Sequence, residues 1–140
     1  MPRTILQWVE FKNTKPQSLY NLYMNAKKHS TATGAPAVIT MNEGDSYSTH
    51  GGYINGKNLQ LIKNKLIVQT WRAQGWSKKD VDSIFIIYLE AKGNDTILHM
   101  THANIPDEHV ESITKGWFNH YWDPWKKFLA GNPIASAPGM

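Results

Sequence analysis

The chain contains no cysteine, which excludes disulfides, thiolate metal sites and thiol chemistry together. Arginine is nearly missing too, with only Arg3 and Arg72 present. The lysine pairs Lys27 and Lys28, Lys78 and Lys79, and Lys126 and Lys127 fall in three separate segments. A net charge of +4 without an arginine-bearing stripe argues against a nucleic-acid partner. No apolar run approaches the ~18 residues of a membrane span. The opening MPRTILQWVEFKN lacks the apolar core and cleavage site of a signal peptide. The expected setting is the cytoplasm, with no membrane partner.

Catalytic and cofactor motifs are equally sparse. His99 and His102 fall on opposite faces of a strand, and His109 and His120 stand eleven apart on a helix, so no set of histidines has metal-ligand spacing. His50, Gly51 and Gly52 are like the oxyanion loop of esterases, but no Gly-x-Ser-x-Gly nucleophile turn follows, and a strand end with glycines at a bend is the better reading. The glycines from Gly52 to Gly56 lack dinucleotide-binding spacing, and no phosphate loop ends in Lys and Ser or Thr. No metal or cofactor is expected. Acid–base chemistry would rest on His102, helped by Tyr47 or Tyr121.

What the chain does have is aromatic residues, six of them tryptophan, in 140 residues. Many gather in the stretch Pro106 to Leu129, where Val110, Ile113, Trp117, Tyr121, Trp125 and Phe128 recur three or four apart. That spacing predicts one long amphipathic helix with acids at its start and Lys126 and Lys127 near its end. Pro124 should bend it, because proline cannot donate to the carbonyl of His120. Gly116 inside the helix has two readings: close packing on a strand, which is the commoner reason, or room left for a ligand.

Upstream, Thr4 to Lys12 alternates as a first strand, with Ile5, Gln7, Val9 and Phe11 on one side. Pro16 and Ser18 open a short helix over Leu19 to Ala26, and a second helical turn or two should end at Gly34 and Pro36. From Ala37 to Ala103 strands alternate with turn residues: Ala37 to Met41, Tyr47 to Tyr53, Asn58 to Ile62, Leu66 to Arg72, Val81 to Glu90 and Thr96 to Ala103. Asn55 and Gly56 mark one of the turns between them. Connections this short make an antiparallel meander. Ser83, Phe85, Ile87 and Leu89, then Thr96, Leu98, Met100 and His102, should face the helix, with Trp71 inward beside Ile67 and Gln69. Ile84, Ile86 and Tyr88 would then lie outside, which suits a monomer or a weak homodimer.

The expected fold is α+β: a curved antiparallel sheet of about seven strands wrapped around a long C-terminal helix, with two short helices after the first strand. It forms one domain over residues 1–130, followed by a tail, 131–140, whose Gly, Pro, Ala and Ser content predicts disorder.

The run Ile67, Val68, Gln69, Thr70, Trp71 and Arg72, then Trp76, Ser83, Thr96, Leu98 and His102, and finally Gly116, Trp117 and Tyr121, resembles the activator of heat-shock protein 90 ATPase homologue (AHSA-like) family. That family lies in the START-like, or SRPBCC, superfamily of helix-grip proteins, and the resemblance covers about Ile5 to Leu129. It implies a cavity for a hydrophobic small molecule, lipid or polyketide-like, beneath the last helix. Its stand-alone relatives are mostly bacterial. A non-enzymatic binding domain is the leading reading, with Tyr47, Trp71, Phe85, His102, Trp117 and Tyr121 as candidate ligand-binding residues. The alternatives are a partner module for a heat-shock chaperone, and a cyclase- or hydrolase-like enzyme using His102.

Overall fold

The computed structural model describes residues 2–131, so the expectation for the tail beyond Gly131 lies outside the described residues. Strand β1 (Arg3–Phe11) buries Ile5, Gln7, Val9 and Phe11 and turns Leu6, Trp8 and Glu10 outward, as its alternation requires. Two short helices follow. Helix α1 (Pro16–Met24) begins with proline, whose fixed φ suits a first turn. In α2 (Ala26–Thr33) the Asn25 side chain accepts from the Lys28 N–H at 3.0 Å, and Gly34, at φ 78°, ends the helix.

The rest of the sheet comprises β2 (Ser46–Thr49), β3 (Ile54–Ile62), β4 (Leu66–Ala73), β5 (Ser83–Lys92) and β6 (Asp95–Ile105). All pairings are antiparallel, in the order β1-β6-β5-β4-β3-β2. The sheet therefore has six strands rather than about seven. The expected strand at Ala37 to Met41 reduces to one bridge between Val38 and Ser48. Side-chain amides replace the ladder there: Asn58 Nδ2 donates to the carbonyls of Thr40 and Asn42 at 2.9 and 3.0 Å. Asn58 is itself held by Gln69 Nε2 at 2.9 Å, and Gln69 Oε1 accepts from the Tyr23 hydroxyl at 3.0 Å. All of these side chains are buried, so the network has no water to fall back on.

The Asn55–Gly56 turn is also displaced. β3 runs straight through it, and the chain reverses instead at His50–Gly52, where all three residues have positive φ. Gly56 answers a different demand, since a Cβ there would overlap the Thr70 carbonyl and the Tyr47 ring.

The inward residues match their alternation. Ile67, Gln69 and Trp71 of β4, Ser83, Phe85, Ile87 and Leu89 of β5, and Thr96, Leu98, Met100 and His102 of β6 are all buried. Against this face lies the C-terminal helix, which is segmented. A 3-10 turn, Asp107–His109, leads into α3 (Val110–Trp117); a π turn, Phe118–Trp122, joins it to α4 (Asp123–Leu129). In the π turn the Asp123 N–H reaches five residues back, to the Phe118 carbonyl. The discontinuity expected from Pro124 is thus absorbed just before it. The extra residue turns Tyr121 and Trp122 inward together, and Trp122 is wholly buried although it lay off the predicted face. None of the described helices is long and apolar enough to cross a membrane.

Candidate functional site

Helix and sheet do not close on each other everywhere. Between α3 and the ends of β3 and β4 lies a cavity of about 470 Å³, open to solvent on one side. Its inner wall is aromatic: Trp71 from β4, Trp76 from the following loop, and Trp117 and Tyr121 from the helical side. Ile54, Ala73 and Ile113 complete the apolar lining, and the volume falls within the ~300–1,000 Å³ typical of small-molecule sites. Gly116 is part of this lining. A Cβ at that position would meet only His120 Cδ2, at 3.7 Å, so close packing on a strand is not its role. The missing side chain leaves space.

Arg72 shapes the outer wall. Its guanidinium donates to the carbonyls of Ser77 and Asp80, both at 2.7 Å, and approaches Asp82 Oδ1 at 3.3 Å. It also lies 5.9 Å from the Trp76 ring centroid. Arg72 thereby pins the loop carrying Trp76, whose ring stacks on His109 at 5.9 Å and 8°.

Three of the predicted binding residues, Trp71, Trp117 and Tyr121, line the cavity; the other three stand behind it. Tyr47 donates its hydroxyl to the Thr70 carbonyl at 2.6 Å. Phe85 stacks on Trp117 at 4.4 Å and 4°, supporting the indole from the sheet. His102 is fully buried, and both ring nitrogens are engaged. Trp117 Nε1–H donates to Nδ1 at 3.1 Å, which fixes the proton on Nε2, where Ser83 Oγ accepts at 2.8 Å. Ser83 in turn donates to the Trp71 carbonyl at 2.5 Å. Burial lowers the His102 pKa to about 3. This neutral imidazole orients Trp117 and has no free nitrogen to offer a substrate.

Histidines missed in the sequence occupy the cavity instead. His50, His109 and His120 all line it. His50 approaches Tyr121 Oη at 3.2 Å, and Tyr121 Oη lies 2.9 Å from His29 Nε2. His29 Nδ1 sits 2.8 Å from the Tyr23 carbonyl, an acceptor only, so Nδ1 carries the proton. Tyr121 then donates to His29 and accepts from His50 Nε2–H. Burial, the largest influence, lowers the His29 pKa to about 4, which keeps this direction fixed near neutrality. The His50 pKa is lowered by burial first and by neighbouring His120 second. His50 and His120 face each other with ring centroids 5.5 Å apart. The one signal in the sequence was the His50–Gly51–Gly52 run, whose conformation aims His50 at a residue 71 positions later.

Residues 5–130 match the family model described as Activator of Hsp90 ATPase homolog 1-like protein. A curated relative from Dictyostelium discoideum, an activator of 90 kDa heat shock protein ATPase homolog, is 31% identical over 77% of this chain and 28% of its own length. The human activator of 90 kDa heat shock protein ATPase homolog 1 is 26% identical over 81% of this chain and 33% of its own. The chain thus spans about a third or less of these relatives. Among solved structures, an HSP90 activator from Plasmodium falciparum superposes with a TM-score of 0.81 at 24% identity, covering 93% of this chain and 97% of that one. CalU16 from Micromonospora echinospora superposes with a TM-score of 0.78 at 16% identity, covering 92% and 77%. At those identities the superpositions establish the helix-grip fold.

Proposed function

We propose, taking as premise that this chain belongs to the Activator of Hsp90 ATPase homolog 1-like family, that it binds a hydrophobic small molecule in the cavity beneath its C-terminal helix. One observation carries this reading: a helical glycine, Gly116, faces open space in a lining rich in aromatic side chains. Glycine inside a helix costs about 1 kcal/mol against alanine, and here no close backbone contact offsets that cost. Trp71, Trp117 and Tyr121 would contact the ligand, while Phe85, His102 and Tyr47 would hold them in place. No catalytic step is assigned to His102, whose nitrogens are both engaged.

Gly116→Leu tests the reading, because it fills the cavity from a position with room for a side chain. In a two-dimensional amide NMR titration against fatty acids, sterols and aromatic polyketides, the native protein should show saturable shifts from Gly116 to Tyr121. The variant should remain folded and lose them. A panel that leaves the folded native protein unmoved would remove the proposal.

Family membership favours a second reading, in which the chain is a partner module for a heat-shock chaperone. Added to a heat-shock protein 90 chaperone, it should then accelerate ATP hydrolysis. Unchanged hydrolysis at saturating protein would dismiss that role.

A further inference from the structure

Resting on the cavity reading above, the geometry points to a particular ligand class: a flat aromatic acid, its ring against the indoles and its ionised oxygens at His50 and His120. Two independent features lead there. The first is the chemistry of the lining, to which Trp71, Trp76 and Trp117 contribute three indole rings. Its ionisable polar groups are the imidazoles of His50, His109 and His120 beside the hydroxyls of Tyr53, Ser112 and Tyr121, and the lining contains no aspartate, glutamate, lysine or arginine. His50, half-buried and with His120 beside it and no carboxylate in the lining, gains a counter-charge only when an anion arrives.

The second feature is the backbone at His50. This residue sits at φ 53°, in the left-handed region, followed by Gly51 at 67° and Gly52 at 94°. The left-handed conformation is strained for an ordinary residue and almost free for a glycine. A third glycine would therefore complete the turn more cheaply, and the side chain that stands there instead lines the cavity.

The hydrogen-bond direction through Tyr121 specifies what His50 offers. Its Nε2–H is committed to Tyr121, and Nδ1 has no partner among the described residues. Neutral His50 thus presents a lone pair, and only protonated His50 presents a second N–H. A carboxylate at Nδ1 supplies the counter-charge that His120 denies it, and a charge-assisted hydrogen bond follows.

The titratable neighbours of this pair are few. His29 of α2 reaches it through Tyr121 and is held neutral, and His109, from the turn before α3, borders the same cavity. No acidic group contributes to the lowered pKa of His50. Tighter binding of an anion should therefore accompany falling pH.

Calorimetric titration of the full chain with 2-naphthoate, 2-naphthamide and dodecanoate at pH 6 and pH 8 tests the assignment. Naphthoate should bind about tenfold more tightly than the isosteric amide at pH 6, with the gap narrowing by pH 8 as His50 loses its proton. In the double variant His50→Gln with His120→Gln, the naphthoate-to-naphthamide affinity ratio should fall to about one at both pH values. Equal affinities for naphthoate and naphthamide, with amide shifts at Gly116 and Trp117, would overturn the acid preference and leave the cavity reading standing. Dodecanoate binding as tightly as naphthoate would overturn the aromatic preference. Silence from all three probes would overturn the cavity reading and this inference with it.

Discussion

Around Trp122 the last helix meets the sheet in a sealed contact, whereas six residues earlier, around Gly116, the same helix meets the same sheet and leaves a chamber. At the sealed end Trp122 Nε1–H donates to Gln7 Oε1 at 2.6 Å, and Gln7 Nε2 donates to the Thr114 carbonyl at 3.1 Å. Trp125, Phe11 and Tyr23 fill the remaining space. At the open end the polar groups include the imidazoles of His50, His109 and His120, which line a cavity open to solvent. Trp117 is the partition. Its ring stacks on Phe85 at 4.4 Å and on Trp122 at 5.5 Å and 15°. Aromatic content therefore does not distinguish a core from a pocket; what distinguishes them here is that one position facing the sheet, Gly116, lacks a side chain.

Acid should produce the largest contrast. His29 and His102 have pKa values lowered by burial to about 4 and about 3, from 6.5 for an ordinary histidine. Since the unfolded chain takes up these protons first, the stability they protect is complete above about pH 6.5 and drains away toward the folded values. At pH 4.5 the two together should cost on the order of 5 kcal/mol, at ~1.4 kcal/mol per unit and per group. Urea unfolding at pH 7 and pH 4.5 measures this, and His102→Gln should remove about half of the difference. Equal urea midpoints at the two pH values would mean that these imidazoles protonate freely within the fold.

The two glycines should respond in opposite directions. Gly56→Ala forces a methyl group into the Thr70 carbonyl and the Tyr47 ring, and should cost about 3 kcal/mol or enter the insoluble fraction. Gly116→Ala enters open space inside a helix and should add roughly 0.5–1 kcal/mol. A destabilised Gly116→Ala would show that the helix needs flexibility there rather than room.

Within the sealed end a finer comparison is available. Trp122→Phe and Trp125→Phe remove similar volumes from fully buried sites. The first orphans Gln7 Oε1, while the second deletes an indole N–H that has no partner among the described residues. Trp122→Phe should therefore be the costlier by about 1–3 kcal/mol in thermal or urea unfolding. Parity between them would locate the stability in packing alone.

Much of the architecture was legible because period-2 and 3.6-residue patterns record burial directly. The inward sets of β1, β4, β5 and β6, the two short helices and the last helix all follow from such patterns. The seventh strand failed because its backbone partners are the side-chain amide of Asn58, 16 and 18 residues away, which no local pattern reports. Trp122 escaped because a π turn breaks the 3.6 period. For the site, Trp71, Trp117 and Tyr121 could be found from helix and strand phase, while His50 could not. Its place depends on a left-handed backbone at Gly51 and Gly52 and on a hydroxyl 71 residues on.

The π turn also gives the C-terminal helix a reading frame. Its additional residue sets the rotational phase of everything downstream, so that Trp125 faces the sheet while Lys126 and Lys127 face water. Removing one residue between Phe118 and Trp122 would restore a regular ladder and swing α4 by about 100° about its axis, one residue's worth of helical rotation. Trp125 would leave the core and a lysine would approach it. A single-residue deletion here is thus a frameshift in three dimensions, whereas a substitution at the exposed Phe118, Asn119 or His120 leaves the phase intact. Relatives that differ in length within these five positions should differ in which tryptophan they bury, and with it in the shape of the chamber upstream.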